Sequence, residues 1–311
     1  MSKFIIISDR KGIDDYDTDL SEQSSLWDAK PNYLLNKLLL AGSYDASFVD
    51  HQEQDLEKRL ESLVTAEVTL VWHIDKTFIP QQVRELSERY MQNGIKSINA
   101  AITDISKKRV DRLCRALGLP AIQLDKTGEY KGRVIVKSDY NSFESHMGYR
   151  TYGCLGEVPQ VFLEDNLAVI QKFLQSAPVV GGCYQMDRYI FVGEMVVFRT
   201  MYSRDPIIKG RNSLRQYAIP VNYLNLLGIP PGSSLNNLGI SLKQLTEEEL
   251  GDLKMVESVK NAIGLDVGSI DTIKNQSDGQ RYIIDVNKTA YERRLPQQFV
   301  KLLAANLPNL T

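Results

Sequence analysis

The sequence predicts an α/β fold: an N-terminal alternation of strands and helices, then a longer α+β region whose strands pair as hairpins. Three observations carry this. Short apolar runs separated by helical patterns fill the first hundred residues. Good start and stop signals frame helices near Ser106–Gly118 and Thr246–Ala262. Two apolar runs near the end are joined across Ser277-Asp278-Gly279, a hairpin signal.

Taken in order, Phe4–Ile7 reads as a buried strand and Tyr33–Leu40 as an apolar helix face following Pro31. Ala46–Val49 is a short strand, and Leu56, Leu60 and Leu63 recur at helical spacing. Val68–Ile74 is a second strong strand. Pro80 then opens a helix carrying Val83, Leu86 and Tyr90, which closes near Asn93-Gly94, before a candidate strand at Ile95–Ile98. Such alternation implies a mostly parallel sheet with helices on both faces.

After Asn99 the pattern changes. Asp104-Ile105-Ser106 precedes a helix with Val110, Leu113 and Leu117 on one face, and Gly118 and Pro120 stop it. Arg133–Lys137 is a compact strand with a lysine at its exit. The polar stretch from Ser138 to Gly156 reads as a mobile loop. Leu167–Leu174 reads as a strand, and Tyr189–Arg199 as a hairpin across Gly193-Glu194. Gly228 to Gly232 is a turn or linker. Thr246 caps a helix with Glu247, Glu248 and Glu249 in its first turn, where the dipole favours acids. Strands Ser269–Ile273 and Arg281–Val286 close the chain. There are no repeats and no low-complexity tracts.

Composition bounds the function classes. At 311 residues, 43% hydrophobic and 24% charged, the chain has an ordinary globular make-up, and a formal charge of −2 gives no sign of nucleic-acid binding. No apolar run approaches the length of a membrane span, and Phe4–Ile7 is too short for a signal peptide. Cys114, Cys154 and Cys183 match no metal spacing, and their odd number favours reduced thiols. A cytoplasmic protein, binding neither nucleic acid nor membrane, is the expectation.

The chemistry concentrates between Gly264 and Pro296. Asp285 and Asn287 are two apart on one strand and so share a face of the sheet. A turn near Asp278 brings Asp271 close to opposite them. Two carboxylates and an amide oxygen on one face make a plausible oxygen site for Mg²⁺, which keeps its other positions for water and phosphate. The same residues also fit the solvated edge of an ordinary hairpin. Lys137 ends an apolar run before a polar loop and is placed to meet an anion. Lys107, in the first turn of its helix, taken alone reads as solvent-facing.

The ordered set of Lys107, Gly118-Leu119-Pro120, Val134-Ile135-Val136-Lys137, Val169 to Leu174, Ile270-Asp271 and Ile284-Asp285-Val286-Asn287 resembles the ATP-grasp superfamily over about residues 95 to 300. The resemblance implies an N-terminal α/β domain (1–100), a lid subdomain (101–178) and a C-terminal subdomain with the metal site (179–311). It implies ATP and Mg²⁺ as cofactors. Lys107 and Lys137 would contact the nucleotide, and Gln171, Lys172, Phe173 and Leu174 would form the hinge beside the adenine. Asp187 would face the ribose, Asp271, Asp285 and Asn287 would hold the metal, and Arg199 would meet the γ-phosphate, with Lys137 and Arg199 as the catalytic pair.

The sequence departs from the family pattern in three places. Ser138 to Gly148 holds a single glycine where many members have a glycine-rich phosphate loop. Asp285 stands where glutamate is commoner, and no proline or glycine directly follows Asn287. These departures leave the substrate class open. The implied activity is ADP-forming ligation of a small-molecule or peptide carboxylate to an amine through an acyl phosphate. A kinase or phosphotransferase on the same scaffold, or a nucleotide-binding regulator without turnover, are the alternatives, and a homo-oligomer stays open.

Other groups rank below these. His73 in its apolar strand reads as structural. His146, in the polar loop, is better placed to meet a ligand. Arg204, Lys209, Arg211 and Arg215 form a basic run that is either a solvated loop or an anion site. Arg293 or Arg294 is placed to bind a substrate carboxylate. Cys183 has no partner base.

Overall fold

The computed structural model of the chain describes residues 2–10, 33–140, 148–208, 214–220, 240–290, 292, 295 and 297–310. Strands β1 (Lys3–Ser8), β2 (Asp45–Asp50), β3 (Val68–His73) and β4 (Ser97–Ile98) form a parallel sheet in the order β2-β1-β3-β4. Alternation along β1 explains why it is apolar throughout. Phe4 and Ile6 enter one core with helix α1 (Leu34–Ala41), while Ile5 and Ile7 enter another with α2 (Leu56–Leu63) and α3 (Gln81–Gln92). A strand covered on both faces has no polar side to show.

Helix α4 (Lys107–Ala116) starts at Ser106, whose hydroxyl accepts from the Arg109 N–H, as the sequence predicts. It leads to a three-stranded antiparallel sheet, β6-β5-β7, made of β5 (Val134–Ser138), β6 (Tyr149–Tyr152) and β7 (Ala168–Lys172). Val134, Val136, Ala168 and Ile170 bury one face of this sheet against Leu155 and Val158, and the short helix α5 (Gln160–Glu164) lies nearby in sequence. The third sheet has the order β11-β10-β9-β8-β12-β13, with β8 (Tyr184–Val192), β9 (Met195–Ser203), β10 (Leu214–Pro220), β11 (Ile240–Lys243), β12 (Val267–Lys274) and β13 (Arg281–Asn287). All of its pairings are antiparallel except β10 with β11.

Helix α6 (Glu247–Ile263) sends Leu253, Val256, Val259 and Ile263 into the core shared with this sheet. It carries the capping box of Thr246 with Glu249, and it ends at Gly264 with φ 77°, the left-handed conformation glycine adopts without penalty.

One residue joins the first and third sheets. Asn99 has φ 58°, and its Oδ1 accepts from the N–H groups of Asp266 (2.8 Å) and Val267 (3.0 Å), while its Nδ2 donates to the Val267 carbonyl at 2.8 Å. Asparagine tolerates this backbone conformation better than most residues, and its amide satisfies groups that would otherwise be buried unpaired.

Three expectations need correction. Tyr149–Tyr152 is not loop but edge strand β6, because its backbone completes the antiparallel ladder to β5. Arg215 lies on β10, not in a solvated loop. The chain does not close on two strands. Helix α7 (Gln297–Ala304) follows and buries Phe299, Val300 and Leu303 in the core that also holds α1. The linker at 228–232, together with His146, Lys209, Arg211, Arg293 and Arg294, lies outside the described residues. Among the described residues no helix is long and apolar enough to cross a membrane.

Candidate functional site

The third sheet sets the site. Its register places Tyr217, Arg199, Arg188, Asp271 and Asp285 directly opposite one another on five successive strands, β10, β9, β8, β12 and β13. Residues opposite one another across a ladder project to the same face. The result is one transverse row running from two guanidiniums to two carboxylates.

A bulge makes the last step possible. Thr272 pairs with Ile283, but Asp271 pairs with Asp285, so Ile284 is the extra residue. Without it Asp285 would fall out of line with Asp271. Asn287, two residues on, lies opposite Ser269 on the same face.

The row is tied together by ion pairs. The Arg188 guanidinium grips Asp271 with two parallel bonds, Nε to Oδ1 at 2.5 Å and Nη2 to Oδ2 at 2.7 Å. Its Nη1 donates to Glu292 at 3.2 Å, and Arg199 donates to the other oxygen of Glu292 at 2.6 Å. Asp271 is 4% exposed, Arg199 3% and Glu292 fully buried. Burial opposes the charge on Arg188, but Asp271 and Glu292 outweigh it and raise its pKa.

This face and the three-stranded sheet bound a cleft of about 960 Å³, near the upper end of ordinary small-molecule sites at roughly 300–1,000 Å³. Ten of the sequence-selected residues line it: Lys107, Lys137, Gln171, Lys172, Phe173, Leu174, Arg199, Asp271, Asp285 and Asn287. Lys137 faces it because alternation along β5 sends Val134 and Val136 to the core and Ile135 and Lys137 outward. Lys107 donates from Nζ to the Tyr140 carbonyl at 2.8 Å, holding the segment after β5 against α4. On the adjoining strand of the same sheet, the Lys172 N–H bonds the Ile122 carbonyl and, just beyond, the Phe173 N–H bonds the Arg133 carbonyl, both at 2.9 Å. The Arg133 guanidinium covers the Phe173 ring at 4.2 Å. This fixes the course of Gln171–Leu174.

Asp187 is not part of the cleft lining. It sits on the reverse face of β8, where Arg281 Nη1 donates to it at 2.7 Å and Thr200 Oγ1 at 2.9 Å. Strand period accounts for this, since Asp187 and Arg188 must face opposite ways. The cleft also receives Tyr33, Asp75 and Thr289, with the Thr289 hydroxyl donating to Asp75 at 2.8 Å. Arg188, Glu292 and Asp75 were not singled out from the sequence. For Arg188 a signal existed: folding Tyr189–Arg199 about Gly193-Glu194 and extending the ladder one pair places Arg188 opposite Arg199. Glu292 had no such signal, because it follows the last strand and reaches the row only through the tertiary fold. His73 is buried, with its ring edge-on to Tyr33 at 5.3 Å between centroids. Cys114, Cys154 and Cys183 are free thiols.

No group of three His, Cys, Asp or Glu side chains converges as a metal centre among the described residues. The donor set at Asp285 and Asn287 nevertheless fits a hard cation. Asp285 has no hydrogen-bond or ion-pair partner among the described residues, and Asn287 Nδ2 is buried without one. An unpaired carboxylate in a cleft is costly unless a cation completes it, whereas Asn287 Nδ2 is a donor that only an acceptor such as a phosphate oxygen satisfies, leaving its Oδ1 as the atom a cation would take. Asp271, opposite Asp285, has both oxygens engaged by Arg188 but retains lone pairs.

Burial lowers the Lys137 ammonium to about 8. The positive charge of Lys107 pushes the same way, and Asp285 and Asp271 oppose it. An anion bound against Lys137 would favour the charged form and raise that pKa. Affinity for such an anion is therefore full below pH 8 and declines as pH rises past it. ATP titrated without metal at pH 7 and pH 9 is expected to bind about tenfold more weakly at the higher pH. Equal affinities would remove Lys137 from the phosphate contacts.

Comparisons with known proteins bear on the fold. No protein-family model matches the chain, and no curated protein matches its sequence. Among solved structures, a D-cycloserine synthetase is similar at a TM-score of 0.51 and 13% identity, over 98% of this chain and 99% of that one. A RimK-domain ATP-grasp protein from Sphaerobacter thermophilus is similar at 0.51 and 10% identity, over 99% and 98%. Both likenesses run the full length, so the shared property is a whole architecture of successive α/β and α+β units. That architecture is the ATP-grasp fold, and this chain has it.

Proposed function

We propose that the chain is an ADP-forming, ATP-dependent carboxylate–amine ligase working in the cytoplasm, its cleft taking Mg²⁺·ATP. The observation that carries this reading is the transverse row, with its unpaired Asp285 beside Asn287 in a cleft that also receives Lys137 and the Gln171–Leu174 wall. Asp285 and Asn287, with Asp271, would hold the metal ion, which supplies charge neutralisation at the phosphates when bound. Lys137 and Lys107 would add positive charge at the nucleotide phosphates, and the fixed backbone of Gln171–Leu174 would hold the adenine. Arg199 would meet the transferring phosphoryl group or the substrate carboxylate.

The demands of the reaction suit these groups. A carboxylate oxygen attacks the γ-phosphorus as the bond to ADP breaks. The amine then displaces phosphate from the acyl carbon. Both steps need aligned reactants and a field of fixed charges more than a covalent nucleophile, and no cysteine lines the cleft. An acyl phosphate must also be kept from water, and β5 with the start of β6 lines the side of the cleft suited to that role. The division into domains at residues 1–100, 101–178 and 179–311 belongs to this reading, with the middle unit as the lid.

Titration calorimetry of ATP and ADP, with and without Mg²⁺, tests the nucleotide site. The expected result is binding that strengthens with the metal. A panel of carboxylate and amine pairs, small molecules and peptides, should then release ADP and free phosphate. A stable phosphorylated product would instead make the protein a kinase, and binding without any turnover would make it a regulator. No binding under any condition would overturn the reading.

A further inference from the structure

The transverse row holds an arrangement that a sheet does not ordinarily tolerate. Arg188 and Arg199 are directly opposite on β8 and β9, and like charges so placed repel. Both are largely buried, which sharpens the repulsion. The group that relieves it is Glu292, from outside the sheet, with one oxygen on each guanidinium at 3.2 and 2.6 Å and no exposure to solvent. Arg199 is left with Nε buried and without a partner, although its side chain lines the cleft. Tyr217, opposite Arg199 on β10, adds no negative charge because burial raises its pKa.

We propose that Glu292 is a positioning residue that restrains Arg188 and Arg199 within the row, so that a polyphosphate is engaged first at the metal-ligand end and Arg199 meets only its transferring phosphoryl group. The inference rests on the reading of the cleft as a Mg²⁺·ATP site. The row offers two cations and three carboxylates, counting Glu292. Arg188 is committed to Asp271 by its two-bond grip, so Arg199 is the cation whose availability Glu292 sets. With Glu292 neutralised, Arg199 loses its only carboxylate partner among the described residues and becomes a competing anion site. An anion held there no longer needs the metal.

The test uses the full chain and two probes. Inorganic tripolyphosphate, titrated without metal, reads the free arginine charge independently of adenine recognition. ATP, titrated with and without Mg²⁺, gives the factor by which the metal improves binding. For Glu292→Gln, tripolyphosphate is expected to bind about tenfold more tightly than to wild type, and the metal factor to shrink by about tenfold. Glu292→Asp keeps the charge and should lie between the two. A merely structural role would weaken both ligands together with the thermal midpoint.

Unchanged or weakened tripolyphosphate binding in Glu292→Gln overturns the proposal. Should that variant not fold, the pair Arg199→Gln and Arg199→Gln/Glu292→Gln decides the matter. Because Glu292 acts through Arg199, the two should bind tripolyphosphate within about twofold of each other. A large difference between them would refute the assignment. Failure of wild type to bind ATP, with the tripolyphosphate response intact, would remove the nucleotide reading and leave Glu292 as the restraint on the arginines.

Discussion

Asp285→Ala is expected to remove the metal-dependent part of ATP binding, by about 100-fold, and to abolish turnover. The reason is the isolation of this carboxylate. Asp271 is gripped by Arg188, whereas Asp285 has no protein partner among the described residues and projects into the cleft. A carboxylate with no hydrogen-bond or ion-pair partner among the described residues leaves no broken pair behind when it is removed. Stability should therefore change by less than about 1 kcal/mol, and metal-free ATP affinity should be kept or improved. Calorimetry with and without Mg²⁺, beside a thermal melt, separates these effects. An undiminished metal effect in the variant would show that the ion, if used, is held elsewhere.

Arg188→Met is expected to do the reverse. Its side chain bridges Asp271 and Glu292, both nearly or fully buried, and its loss leaves Asp271 buried without its paired guanidinium. Breaking a buried pair from one side costs about 3–5 kcal/mol, so a marked fall in the thermal midpoint is the predicted readout. Arg188→Lys should recover little of it, because an ammonium cannot reproduce the fork that spans both Asp271 oxygens. A variant as stable as wild type would mean that the row contributes nothing to holding β8, β12 and the segment after β13 together. The contrast with Asp285 is the informative part: two members of one row, one tied into the fold and one left open to a ligand.

Much of this row was legible before the fold was known. Alternation put Asp285 and Asn287 on one face, and the turn at Asp278-Gly279 brought Asp271 to them. What could not be read was the bulge at Ile284, which sets Asp271 against Asp285 and leaves no mark in a pattern of period two. Alternation also exposes the choice of Asp187 over Arg188. Both lie on the same strand, and only the pairing partner decides which of two adjacent charges faces the cleft. Strands β6 and β10 escaped notice for a related reason. Their sequences, Tyr149–Tyr152 and Leu214–Pro220, mix polar and apolar residues, and it is hydrogen bonding to a neighbour that makes them strands.

By itself the sequence determined the local structures and the kinds of groups available. Apolar runs set the buried strands, Ser106 and Thr246 set helix starts, and Lys137, Asp271, Asp285 and Asn287 announced a charged site. These are local effects, fixed by side-chain period and backbone capping within a few residues. Tertiary structure alone decided how far-separated charges meet. It brought Glu292 to two arginines from another part of the chain, joined Asn99 to Val267 between two sheets, and gave Asp271 an ion-pair partner while leaving Asp285 without one among the described residues. The physical reason is that the energy of a buried charge depends on its partners and its dielectric surroundings, and neither exists until the chain has folded.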